Sequence, residues 1–127
     1  MAKVLLIDDD IDFLSQVKIW LEANKHQVAT AETIKEADEI LDKMAPDIVI
    51  VDLMMDEMDS GFSMCSRIKK KYPEIPVIMV TAVTSETGLI FDAATEDEKS
   101  WIKADVVLAK PVRFDQLKRE MERLLKG

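Results

Sequence analysis

Five short apolar runs punctuate the chain, at 4–7, 27–31, 48–51, 76–80 and 106–109. Each is of strand length, and most are continuous Val/Ile/Leu stretches bounded by polar residues rather than alternating ones. That pattern predicts strands covered on both faces, as in a parallel sheet with helices above and below. The segments between them carry a helical period. Phe13, Leu14, Val17, Trp20 and Leu21 form one amphipathic stripe. Thr33 and Glu36 have capping-box spacing, with Ala37, Ile40, Leu41 and Met44 on one face behind them. A third helix is expected over about 62–71, with Cys65 and Ile68 on its buried side. A last one carries Phe114, Leu117, Met121, Leu124 and Leu125. Strand and helix thus alternate in a (βα)5 order, and parallel strands joined by right-handed crossovers predict a doubly wound α/β sandwich. The fourth connection is irregular. Its 84–105 stretch is acidic and polar apart from Leu89, Ile90, Phe91 and Trp101, and it reads as an extended helix or an insertion in one domain spanning 1–127. Trp101 is expected to anchor that segment by packing.

Composition narrows the function. The 127 residues include 25 acidic and 17 basic side chains, a net charge of -8, and 48% are hydrophobic. A length near 130 suits a single core-forming domain. The acid excess opposes direct nucleic-acid binding, which needs Lys and Arg clusters. The one cysteine and one histidine, Cys65 and His26, cannot build a disulfide or a structural zinc site. His26 is expected to be a surface or turn residue after the first helix. The N-terminal apolar run is cut off by Asp8, too short for a signal peptide or a membrane span, so a cytoplasmic location is expected.

Open parallel sheets bind ligands at the carboxyl ends of their strands. The residues expected there are Asp8, Asp9 and Asp10 after the first run, Asp52 after the third, Thr81 at the end of the fourth and Lys110 after the fifth. Carboxylates about 4 Å apart repel by about 4 kcal/mol at an effective dielectric near 20, so such a cluster calls for a counterion. Lys110 supplies one charge. The oxygen-only donor set suits a hard divalent cation such as Mg²⁺. With Asp52 as the attacking carboxylate and Thr81 and Lys110 binding the transferred group, the constellation reads as a phosphoryl acceptor. Asp10 is expected to cap the first helix. A calcium loop at Asp8, Asp10 and Asp12 fails, because Phe13 stands where its glycine belongs and Ile19 where its glutamate belongs.

Four motifs in order, Val4-Leu5-Leu6-Ile7-Asp8-Asp9, Ile48-Val49-Ile50-Val51-Asp52-Leu53-Met54-Met55, Val77-Ile78-Met79-Val80-Thr81-Ala82 and Lys110-Pro111, closely resemble the receiver domain of bacterial two-component response regulators. The resemblance covers nearly the whole chain. It implies a flavodoxin-like, chemotaxis-regulator-like fold with sheet order 2-1-3-4-5. Asp52 is then the phosphorylation site. Asp8, Asp9, Asp52 and the main-chain carbonyl of Met54 hold Mg²⁺, for which Mn²⁺ can substitute, while Thr81 and Lys110 contact the phosphoryl group. The implied partners are a sensor histidine kinase or phosphotransfer protein, a downstream effector or output domain, and a second copy of the chain on phosphorylation. Catalysis would be confined to phosphorylation and dephosphorylation of Asp52 itself, with no external substrate turned over.

Three departures mark this sequence. Asp56 and Ser60 replace the usual Pro and Gly after the acceptor, with Gly61 one step later. Val107 stands where the family's switch aromatic is usual, and the 84–105 segment is enlarged. The output surface is expected near the fourth connection and the fifth strand. Met54, Met55 and Met58 could form an adaptable contact surface or simply cover the loop. The alternative from another class is a haloacid-dehalogenase-like phosphohydrolase with Asp8 as nucleophile. Asp12 stands where that family has Thr or Val, and no acidic pair follows Lys110 on another strand.

Overall fold

The computed structural model describes residues 2–52, 60–82, 105–110 and 112–126. Five strands, β1 (Lys3–Ile7), β2 (Gln27–Ala31), β3 (Ile48–Asp52), β4 (Val77–Ala82) and β5 (Val106–Lys110), form one sheet in the order β2-β1-β3-β4-β5. Every pair of neighbours is parallel. The expected doubly wound order is therefore present. The helices among the described residues are α1 (Ile11–Ala23), α2 (Ile34–Lys43), α3 (Ser60–Lys71) and α4 (Phe114–Lys126). The helix or insertion expected at about 84–105 lies outside the described residues except for Asp105, as do Met54, Met55, Met58 and Trp101. So do Asp56 and the side chains of Cys65 and Val107.

Alternation along the central strands creates two cores. Leu5, Ile7, Val49, Val51, Val77 and Met79 point to one face, where Ala37 and Leu41 of α2 and Ile68 of α3 close over them. Val4, Leu6, Ile48, Ile50, Ile78 and Val80 point to the other, against Leu14, Val17 and Leu21 of α1 and Leu117 and Met121 of α4. Both faces of the strands are covered, which is why their sequence runs apolar without alternation. Burial of a side chain such as Leu21 or Ile68, both fully enclosed, contributes about 1.5–3 kcal/mol. β2 is an edge strand with half-buried residues, which accounts for its weaker apolar signal. The predicted stripes hold at their centres and fray at their ends, with Phe114 and Leu125 of α4 exposed. Phe114 stacks on Trp20 at a centroid distance of 5.1 Å, joining α4 to α1.

Local chemistry sets the helix ends. Thr33 accepts the Glu36 amide at 3.1 Å, and the Glu36 carboxylate reaches back to the Glu32 amide at 2.8 Å. The box thus closes one residue earlier than its ideal form. At the end of α1 the His26 amide donates to the Leu21 carbonyl and the Lys25 amide to the Glu22 carbonyl, both at 3.0 Å. This is a Schellman turn with Lys25 at φ 69° in the position glycine usually fills. No helix among the described residues is long and apolar enough to cross a membrane.

Candidate phosphoryl-acceptor site

Four strands deliver the predicted residues to the same end of the sheet. β1 ends at Ile7, and Asp8 follows with its amide donating to the Ala31 carbonyl at the end of β2, 3.0 Å away. That bond holds the chain as it leaves the sheet. The Asp8 carboxylate accepts the Asp10 amide through Oδ1 at 2.9 Å. Asp10 then turns into α1 as its N-cap, its Oδ1 taking the amides of Asp12 and Phe13 at 3.0 and 3.2 Å. A short polar acceptor is what the unpaired first-turn amides need.

Asp52 is the last residue of β3, directly beside β1 in the sheet. Asp8 and Asp52 retain only 2% and 4% of their surface, and they are the only buried charged residues among those described. Ligand oxygens of Asp8, Asp9 and Asp52 all lie within 4.8 Å of one another. Burial of Asp8 and Asp52 removes much of the water that would screen the cluster, so its repulsion favours uptake of a cation. All donors are hard oxygens, which fits Mg²⁺ or Mn²⁺ and does not suit a thiophilic metal.

The strands on the other side of β3 bring the remaining two residues. Asp52 pairs in register with Val80, placing Thr81 one step further along β4. Thr81 pairs with Ala109 and Ala82 with Lys110, so the backbone of Lys110 ends β5 beside the end of β4. Thr81, Lys110 and the three carboxylates therefore share one sheet edge. Met54 lies outside the described residues.

The model of the response regulator receiver domain matches residues 4–122. The chain belongs to the response regulator receiver family. Two-component signalling is that family's setting, and aspartate phosphorylation and Mg²⁺ are its general features. Among proteins similar to this receiver, the heme response regulator HssR of Staphylococcus aureus is 34% identical over 118 residues, 92% of this chain. The chain spans about half of that relative, 48% of its length. Among solved structures, a receiver domain protein from Clostridium thermocellum is 28% identical with a TM-score of 0.80, covering 99% of this chain and 95% of its own. The receiver domain of a signal transduction histidine kinase from Syntrophus aciditrophicus is 26% identical with a TM-score of 0.82, covering 100% and 92%. These likenesses do not favour the phosphohydrolase alternative.

Sequence reasoning overlooked several residues that shape this receiver. Asp47 and Asp105 stand immediately before β3 and β5 and bond the neighbouring strand. The signal was an aspartate directly preceding an apolar run in both places. His26 follows the turn after α1, as expected, and also has a bonding role that its sequence position did not signal. It is partly buried, and its Nδ1 accepts the Ala2 amide at 3.0 Å. Burial lowers the pKa of its imidazole.

Proposed function

We propose that this receiver is a phosphorylation-operated switch in which Asp52 accepts a phosphoryl group from a sensor histidine kinase or a phosphotransfer protein. The observation that carries the reading is the meeting of Asp8, Asp9 and Asp52 within 4.8 Å, on the sheet edge that Thr81 and Lys110 also reach. Asp8, Asp9, Asp52 and the Met54 carbonyl would hold Mg²⁺. When bound, that ion offsets negative charge on the phosphoryl oxygens. An Asp52 oxygen attacks phosphorus in line, a P–O bond forms as the donor's P–N bond breaks, and the departing imidazole keeps the electron pair. Lys110 pairs with the transferred group, and the Thr81 hydroxyl donates a hydrogen bond to it.

Output follows as a population shift. Phosphate favours whichever conformation offers it Thr81 and Lys110, and a partner that prefers that conformation reads the signal. That reader is a downstream effector, an output domain or a second copy of the chain, acting at the fourth connection and β5. The acid excess, 25 acidic against 17 basic residues, supports a protein reader over direct contact with nucleic acid.

The deciding experiment is incubation with a small phosphodonor and Mg²⁺ followed by intact-mass measurement. One phosphate is expected on the wild type and none on Asp52→Asn. Retention of the phosphate by Asp52→Asn, with its loss in Asp8→Asn, would overturn the assignment in favour of Asp8.

A further inference from the structure

At the end of the sheet opposite the carboxylates, the strand joints are closed by side chains. The residue before β3, Asp47, donates its amide to the Lys3 carbonyl at 2.7 Å and accepts the Lys3 amide on Oδ2 at 2.8 Å. The residue before β5, Asp105, makes the same pair with Val77, at 2.9 Å and 2.8 Å. Before β2, His26 accepts the Ala2 amide while the Gln27 amide donates to the Ala2 carbonyl at 2.9 Å. Before β4 stands Pro76, whose carbonyl accepts the Val49 amide but whose side chain has no acceptor.

A reciprocal pair of this kind fixes register. The ladder bonds of a parallel pair are evenly spaced, so a slip by two residues preserves the facing of every side chain and costs few of them. For Asp105 a slip back meets Ile75, whose amide is already bonded to the Tyr72 carbonyl, and a slip forward to Met79, which offers the same two groups, would carry the carboxylate into the buried stretch of β4. A two-residue slip would move the far end of the strand by about 6.6 Å.

Both pinned strands end in a site residue. Asp52 lies five positions after Asp47, and Lys110 five positions after Asp105. β3 is central and has ladders on both sides, but β5 is an edge strand whose one ladder is with β4. It is also entered after the long connection from Ala82, so no short turn sets its register. Lys69 reinforces this pin. Its ammonium bonds Asp105 Oδ2 at 2.7 Å and the Ile75 carbonyl at 2.9 Å, tying the last turn of α3 to the starts of β4 and β5.

We propose that Asp105, supported by Lys69, is a positioning residue that sets the register of β5 and thereby where Lys110 stands against Thr81 and Asp52. The inference rests on the role given to Lys110 above. It is tested by the rate of Asp52 phosphorylation from a small phosphodonor with Mg²⁺, in Asp105→Ala, Asp105→Asn, Lys110→Ala and the double variant Asp105→Ala/Lys110→Ala. Asp105→Ala is expected to slow the reaction about tenfold, a modest misplacement effect. Asp105→Asn, which keeps an acceptor for the Val77 amide, restores most of the rate. In the Lys110→Ala background Asp105→Ala adds nothing, because the residue it positions is gone. Mg²⁺ affinity by calorimetry is unchanged in Asp105→Ala, since the carboxylates lie on other strands.

Equal slowing by Asp105→Ala in both backgrounds would mean general destabilisation and would overturn the inference. A wild type that takes no phosphate overturns the functional reading instead. Should Asp105→Ala not fold, Lys69→Met takes its place in the same cycle. A slowing of about threefold confined to the background with Lys110 intact is then expected, and equal slowing in both again overturns it.

Discussion

The Asp8 carboxylate accepts the amide of Asp10 at 2.9 Å, and this one bond separates the duties of adjacent acids. Asp8 stays buried at the strand end beside Asp52, whereas Asp10 spends its Oδ1 on the first-turn amides of α1. Asp10→Ala is therefore expected to lower unfolding free energy by about 1 kcal/mol while leaving phosphate uptake on Asp52 within twofold of the wild type. Urea titration and intact-mass kinetics on the same protein check both halves.

The clustered carboxylates predict that Mg²⁺ stabilises the fold. Without the ion the three acids repel, and a ligand that binds only the native state raises its stability by mass action. Asp52→Asn is expected to gain about 1 kcal/mol in metal-free buffer, by relief of that repulsion. It should lose most of the rise in Tm that Mg²⁺ gives the wild type. Thermal scans with and without the ion distinguish this from a neutral substitution, for which both curves would coincide with the wild type.

His26 gives the stability a pH dependence. Its folded pKa lies below the ordinary value of 6.5 because burial disfavours the imidazolium. Between those two values the unfolded chain holds more protons than the folded one, so stability rises with pH. The contribution is complete above about pH 6.5 and is lost as pH falls toward the folded pKa. Protonation of Nδ1 also removes the acceptor for the Ala2 amide. Urea midpoints between pH 5 and 7.5 should fall on acidification in the wild type, and His26→Gln should flatten that part of the profile.

Lys25 adopts φ 69° where a side chain crowds the backbone. Lys25→Gly is expected to stabilise the protein by roughly 0.5–1 kcal/mol, because relief of that crowding exceeds the added freedom of the unfolded chain. A higher urea midpoint with an unchanged slope would bear this out, and a lower midpoint would refute it.

The phosphorylated state should be long-lived. Met54 stands two positions after the acceptor and Val83 two after Thr81, and neither side chain can orient an attacking water. After removal of donor, label on the wild type should persist longer than on Met54→Asn. A time course by intact mass would contradict this if the two decayed together.

Much of this molecule was legible from its apolar runs. β1, β3 and β4 come within two residues of the expected bounds because their apolar residues are buried on both faces and carry an uninterrupted hydrophobic signal. The acids after those runs could likewise be placed at one edge, because parallel topology puts every strand's carboxyl end on the same side. The pins at Asp47, Asp105 and His26 were not legible. Each bonds the main chain of a residue at least 24 positions away, and such a partner exists only once the strand order is known. Exposure of Phe114 and Leu125 also depends on how α4 is rotated against α1, which helical spacing leaves open.

The division of the interior by the sheet has a practical consequence for anyone watching the molecule in solution. Leu5 and Leu6 are successive residues, about 3.8 Å apart along the backbone, yet their methyl groups enter separate compartments, one beneath α2 and α3 and the other beneath α1 and α4. Isotope labels on such a pair act as two detectors on opposite sides of a partition one strand thick. If phosphate on Asp52 moves only one layer of helices, one leucine's signal will shift while its chain neighbour stays still.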